Sequence, residues 1–336
     1  MLYNSFLSIR ILKSISTFGL ELLVNQISEF SIKIVSIKIN YIMKKRILFS
    51  VSLFLVTLSL MSQEVATKKV ECPSGYESKI DVVYSRVKDW DGRLDVYFNP
   101  INKKTMPVLI NIHGGGWNHG TKESQIGFST FFKSGFAVAN VEYRMVDKAK
   151  APGAIEDIRS AMDYLILHAK ELNIDPKRIV LMGGSAGAHL ALMAGFLEND
   201  RRFDTYCKGK EDMKVAAIIS KYAPSDFIDK TDKFYTYKSL LNWMGDKAGD
   251  AAFRASISPV SYINKSNPPV FIVHGNADPI VPYKQSVKLH RMLDKAGVYN
   301  EFITVEGGKH GNFDKDKNSE ISKAIMAFLI KTGVIK

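Results

Sequence analysis

The sequence predicts an α/β domain, a mostly parallel central sheet flanked by helices. Three observations carry that reading: short apolar runs of strand length, helical periodicity between them, and glycine-bounded motifs directly after strands. Residues 107–112 (PVLINI) are continuously apolar, as a strand buried on both faces must be. Segments 137–141, 179–182, 215–219 and 270–273 repeat that character, and 301–305 is a weaker last strand. Ahead of them, 82–87 and 94–98 read as a hairpin joined through Asp91-Gly92. Ile155, Ile158, Met162 and Leu165 share one helical face. Leu190, Met193 and Ala194 continue a second helix, 287–293 a third, and Ile321, Ile325 and Leu329 the last. Strands alternating with helices imply right-handed crossovers, and ligands then bind beyond the C-terminal strand ends.

The 336 residues, 46% hydrophobic with a mean hydropathy of −0.05, suit one such domain with extra sequence at the front. Residues 43–62 run from Met-Lys-Lys-Arg through an apolar stretch to a small residue, the pattern of a secretory signal peptide. The apolar run of about 15 residues is short for a membrane span, which takes roughly 20. Residues 1–42 carry no motif and read as an upstream extension foreign to the native protein, with Met43 the true start. A genuine N-terminal extension or membrane anchor is the alternative. No Cys stands at the cleavage point, which argues against a lipid anchor. The single α/β domain then spans 63–336, and the expected location is secreted or periplasmic.

Residues 1–62 hold seven Lys/Arg and two Asp/Glu, so their removal lowers the net charge from +12 to about +7. The remaining lysines are scattered, without an aromatic-interleaved basic patch, which argues against nucleic-acid binding. Cys72 and Cys207 match no metal motif by spacing; an oxidising compartment permits either a bridge between them or two free thiols.

The chemistry lies in four motifs. Gly183-Gly184-Ser185-Ala186-Gly187 follows a strand and opens a helix, the context required of a G-x-S-x-G nucleophile elbow. Small residues are needed on both sides of the strained Ser, and the following helix aims its N-terminus at a developing oxyanion. His113-Gly114-Gly115-Gly116-Trp117 follows the strand at 107–112 and bares backbone N–H groups that can cradle that oxygen together with the N–H of Ala186. Asp278, in His274-Gly275-Asn276-Ala277-Asp278, and His310, in Gly307-Gly308-Lys309-His310-Gly311, follow as acid and base. Asp226, in another post-strand loop, competes with Asp278 for the acid. His189, one turn beyond Ser185, reads as a packed helix residue, His113 as shaping the glycine turn, and His274 as a strand cap; His119, His168 and His290 read as surface.

Together with Tyr143-Arg144, Asp157 and Asp175-Pro176-Lys177-Arg178-Ile179, these motifs resemble hormone-sensitive-lipase-like esterases of the α/β-hydrolase fold. They are more closely similar to bacterial acetyl and feruloyl esterases acting on plant polysaccharides, over about 80–335. The resemblance implies Ser185 as nucleophile with Asp278 and His310, an oxyanion hole of Gly115, Gly116 and Ala186, and a structural Arg144–Asp157 ion pair. Lipase-like members carry a helical cap from a long N-terminal segment; about 15 residues precede the first strand here, too few for one, so little or no cap domain is expected. The insertion 226–256 could form a partial cover with Phe234, Tyr235, Tyr237 and Trp243 as an aromatic wall, or those rings could pack inward. Trp117 and Trp243 are candidate substrate contacts.

The expected activity is hydrolysis of a carboxylic ester, removing acetyl or feruloyl groups from a polysaccharide such as xylan, with no metal and no cofactor. A general short-chain carboxylesterase or lipase is the alternative. A serine peptidase of this fold needs a β-propeller that the chain lacks, and an arylformamidase sits poorly with a signal peptide. A catalytically dead binding or adhesion fold sits poorly with the retention of Ser185 and His310.

Overall fold

The computed structural model describes residues 70–336 apart from 230 and 232, with Lys33 upstream. The expected extension 1–42 and signal segment 43–62 otherwise lie outside the described residues. Within the unit Lys68–Lys336, eight strands form one sheet: β1 Glu77–Val87, β2 Trp90–Phe98, β3 Met106–Ile112, β4 Ala137–Val141, β5 Ile174–Gly184, β6 Ala217–Lys221, β7 Val270–Gly275 and β8 Asn300–Val305. Their spatial order is β1-β2-β4-β3-β5-β6-β7-β8. β1 pairs antiparallel with β2, and β2 with β4; every later pairing is parallel.

Seven helices accompany the sheet among the described residues: α1 Ser129–Lys133, α2 Gly153–Leu167, α3 Ala186–Phe196, α4 Lys238–Met244, α5 Ala251–Ser256, α6 Lys284–Ala296 and α7 Lys315–Lys331. Each face of the sheet has its own core. Ile110, Ile112 and Leu181 pack with Ile155, Ile158 and Leu190 of α2 and α3 on one side. Leu109, Val180 and Phe271 pack with Phe131 of α1 and Ile325 and Phe328 of α7 on the other. All eleven residues of α3 are buried, which is why its sequence is apolar around the whole helix rather than on one stripe. By contrast α7 buries a single stripe, Ile321, Ile325, Phe328 and Leu329, and Asp314 caps it by accepting the Lys317 N–H at 2.7 Å.

Two expectations need correction. The first hairpin turns at Lys88 and Asp89, not at Asp91-Gly92, and Lys88 takes the left-handed conformation with φ 53°. Gly92 lies inside β2, where a Cβ would come within 2.6 Å of the Tyr84 ring and 2.8 Å of the Trp90 ring. The glycine admits two aromatic rings, not a turn. β6 runs two residues later than its apolar pattern, because Ser220 and Lys221 stay in register with Gly183 and Gly184. Backbone pairing between two neighbouring strands does not require apolar side chains.

Arg144 donates to both Asp157 carboxylate oxygens at 2.9 and 3.0 Å, and its N–H adds a third bond at 2.7 Å. This pair ties the loop after β4 to α2. Cys72 and Cys207 are both free thiols. No helix among the described residues is long and apolar enough to cross a membrane.

Candidate active site

Five post-strand segments meet at the C-terminal edge of the parallel strands, around a cleft of about 570 Å³. β5 delivers Ser185, at φ 56° and ψ −124°, a conformation that costs a non-glycine residue about 1–3 kcal/mol. Close backbone packing holds it there. A Cβ on Gly183 would lie 2.3 Å from the Gly187 carbonyl carbon, and one on Gly187 would lie 2.2 Å from the Ile112 oxygen. Ser185 N–H donates to the Lys221 carbonyl at 2.9 Å, pinning the elbow to the end of β6. Among the described residues nothing hydrogen-bonds the Ser185 hydroxyl, which opens on the cleft.

β3 delivers the glycine loop. Gly115 and Gly116 take φ of 115° and 57°, Trp117 takes 60°, and the Gly115 carbonyl accepts the N–H groups of Asn118 and His119 at 3.1 Å each. These bonds turn the loop so that the N–H groups of Gly115 and Gly116 have no acceptor among the described residues. The N–H of Ala186, in the first turn of α3, is likewise unpartnered, as helix starts require. His113 braces the loop from below: its ring stacks on Tyr143 at 4.4 Å, and its Nδ1–H donates to the Gly114 carbonyl at 2.7 Å. Burial pushes the His113 pKa down, so the ring is neutral.

β7 and β8 deliver the acid and base. The Asp278 side chain is fully buried; Oδ1 accepts the N–H groups of Ile280 and Val281 at 2.7 and 3.0 Å. Oδ2 accepts His310 Nδ1 at 2.7 Å. A carboxylate facing Nδ1 places the proton there and leaves Nε2 of His310 with a lone pair for the Ser185 proton. Of the two acids considered from sequence, Asp278 is the one bonded to His310. Asp226 instead accepts Lys288 Nζ and the Ile228 N–H.

Sequence reasoning missed the role of His274. Its ring is not a strand cap: Nε2 lies 3.1 Å from Asp278 Oδ2 and 3.0 Å from the Val281 carbonyl, and Nδ1 lies 2.7 Å from Ser286 Oγ. Both neighbours of Nε2 are acceptors, so Nε2 carries the proton and Ser286 donates to Nδ1. Burial alone would raise the Asp278 pKa, but the hydrogen bonds from His274, His310 and the Ile280 N–H hold it well below the usual carboxylate range. The available signal was a His four residues before the acid, in one post-strand loop.

Tyr222, just after β6, takes φ 44° and packs beside the elbow and the base. Its ring lies 4.7 Å from His310, and a Cβ on Gly184 or Gly311 would meet its hydroxyl at 2.8 or 2.5 Å. The aromatic insertion divides its rings. Phe234 and Tyr237 line the cleft, and Tyr237 donates to the Pro279 carbonyl at 2.9 Å, tying the insertion to the acid loop. Trp243 is withdrawn from the cleft: its ring is buried (0% exposed) and stacks at 4.4 Å on Trp117, which lines the cleft although only 1% exposed. They form the floor beneath the glycine loop. His189 packs edge-on against both rings and donates Nε2–H to the Ile257 carbonyl at 2.9 Å. With helices of seven and six residues, the described part of the insertion makes a rim on the cleft.

Among relatives, the "Probable carboxylic ester hydrolase LipM" of Mycobacterium tuberculosis is 33% identical over 188 residues, 54% of this chain and 43% of that protein. The chain spans about half the length of the curated relatives it matches, from 43% to 59%. Among solved structures, a truncated carbohydrate esterase from gut microbiota superposes with a TM-score of 0.65 at 26% identity, covering 77% of this chain and 99% of that one. Propionate-bound esterase Est2 of Thermogutta terrifontis gives 0.65 at 25% identity, covering 78% and 96%. The α/β-hydrolase fold is thus shared with these structures. A TAP-like protein profile matches residues 252–335. The BD-FAE profile matches residues 94–293, more than half of the chain and every strand from β3 to β7, and the chain belongs to the BD-FAE family.

Proposed function

We propose that the chain is a serine carboxylic-ester hydrolase that removes acetyl or feruloyl groups from a plant polysaccharide such as xylan. One observation carries the reaction type: an unbonded Ser185 hydroxyl and an Asp278-anchored His310 open on one cleft with the unpartnered N–H groups of Gly115 and Gly116, and the unpartnered N–H of Ala186 directly follows the Ser. Ser185 Oγ attacks the ester carbonyl while His310 Nε2 takes its proton, and the N–H groups of Gly115, Gly116 and Ala186 hold the oxyanion. His310 then returns the proton to the leaving alcohol oxygen. Water, deprotonated by the same nitrogen, attacks the acyl-Ser185 ester and releases the acid.

The polysaccharide assignment rests on less. The cleft, rimmed and without a lid among the described residues, suits an acyl group displayed on a long polar chain, and one structural neighbour is a carbohydrate esterase. Secretion through residues 43–62 belongs to the same proposal, since such a polymer lies outside the cell. Ser185→Ala should lower kcat on p-nitrophenyl acetate about 10³- to 10⁶-fold with the fold intact. Near-normal turnover by that variant sinks the reaction type. A panel of acetylated xylan, methyl ferulate and p-nitrophenyl esters of rising chain length tests the substrate class, and a maximum at octanoate or longer replaces it with a lipase.

A further inference from the structure

Lys221 ends β6 inside the cleft, and nothing in the acyl-transfer chemistry uses its side chain. It stays in register with Gly184, so it projects from the same sheet face as Gly184, Met182 and Asn111. Asn111, Gln125 and Lys221 line one part of the cleft wall. Asn111 there is already engaged: it donates to Asn140 Oδ1 at 2.7 Å, and Asn140 donates to the Gln125 backbone carbonyl at 2.8 Å. Lys221 has no such partner. Among the described residues, no carboxylate or other acceptor hydrogen-bonds or pairs with its ammonium, and no Asp or Glu lines the cleft at all.

That isolation is unlike the cations the fold buries. Lys122 pairs with Asp81, Asp95 and Glu123, Arg144 with Glu156 and Asp157, and Arg159 with Asp204. Arg254, also buried, has no carboxylate but donates to the Ala248 and Gly249 carbonyls at 3.0 and 2.9 Å, so each of these buried cations has acceptors. Lys221, half-buried on the cleft wall, has none. We infer that Lys221 is a specificity residue that binds a carboxylate carried by the ester substrate. This deepens the ester-hydrolase reading and rests on it: the preferred ester is anionic, bearing its carboxylate on either the acyl or the alcohol half. Burial pushes the Lys221 amine pKa down, and an incoming carboxylate would restore the charged form by a charge-assisted hydrogen bond.

Two matched pairs of esters test this and separate the two halves. The acyl pair is mono-4-nitrophenyl glutarate against 4-nitrophenyl pentanoate; the alcohol pair is an acetylated methyl galacturonoside against the acetylated methyl galactoside. The intact chain should favour the anionic member of one pair by about tenfold or more in kcat/KM. Lys221→Met should erase that ratio and Lys221→Arg should retain it. The ratio is taken within each protein, so a loss of folded fraction cancels. Absence of preference in both pairs with the unaltered chain overturns the inference, without any variant being needed. So does a preference that survives in Lys221→Met. Turnover of neutral esters alongside either result leaves the ester-hydrolase reading standing, whereas no turnover of any ester removes both.

Discussion

Asp278 divides one carboxylate oxygen between two histidines, and each ring's second nitrogen decides its task. His310 turns Nε2 to the cleft, while His274 turns Nδ1 inward to Ser286, so His310 can exchange protons with substrate and His274 can only hold Asp278 still. His274→Ala should therefore lower kcat on p-nitrophenyl acetate about 10- to 100-fold at nearly constant KM, the worth of one hydrogen bond to a charged group. His274→Gln, which can restore an N–H toward Asp278, should recover much of it; equal losses in both variants would reduce His274 to a packing residue. At this scale the sequence was legible where chemistry constrains spacing. The elbow, the glycine loop and the late His were readable because each needs particular residues on either side. The choice between Asp278 and Asp226 was open because both follow strands, and only the fold sets Lys288 beside Asp226. Trp243 was misjudged because an aromatic in an insertion reads alike whether it faces solvent or a second indole.

The elements show why the catalytic groups cannot drift. β5 and α3 are joined by a turn so close to β3 that glycine is obligatory, and the contact is with backbone, which cannot rotate away. Gly187→Ala should push the end of β3 and with it the His113 loop. A loss of about 1–3 kcal/mol in stability with an at least tenfold fall in kcat is expected by thermal melting and p-nitrophenyl acetate assay. Gly249→Ala, where nothing lies within 4 Å of the added Cβ, should stay within about 0.5 kcal/mol of the parent. Strands buried on both faces, such as β3 and β4, were legible almost to their ends because their apolar runs have no other use. The ends of β1, β2 and β6 were not, since there polar residues continue the ladder and a glycine serves ring packing.

For the whole molecule, buried histidines make stability depend on pH. Burial holds the His189 pKa down at about 4, against an ordinary value of 6.5 in the unfolded chain. Between those values the unfolded state binds the extra proton, so stability rises with pH and is lost on acidification from 6.5 toward 4. The loss is at most about 3 kcal/mol and saturates below 4. His113, also lowered by burial, adds to it with the same sign. Asp278 acts in a lower window: its depressed pKa stabilises above the ordinary carboxylate range, near 4, and that contribution is lost only as pH falls further. Melting temperatures across pH 4–7 should fall on the acid side. His189→Gln, which keeps a donor for the Ile257 carbonyl, should flatten the slope; an unchanged slope would place the proton uptake elsewhere.

The Tyr222 ring packs beside both the elbow and the base loop, occupying the place of a side chain at both Gly184 and Gly311. The two loops thus share one packing neighbour that a substitution can change. Volume added beside Ser185 is volume that must come off residue 222, so an alanine at 184 should be tolerated only with a leucine or smaller residue in place of the tyrosine. A lineage or a designer wishing to add a side chain at either glycine would find the room at that one ring, with the sheet untouched.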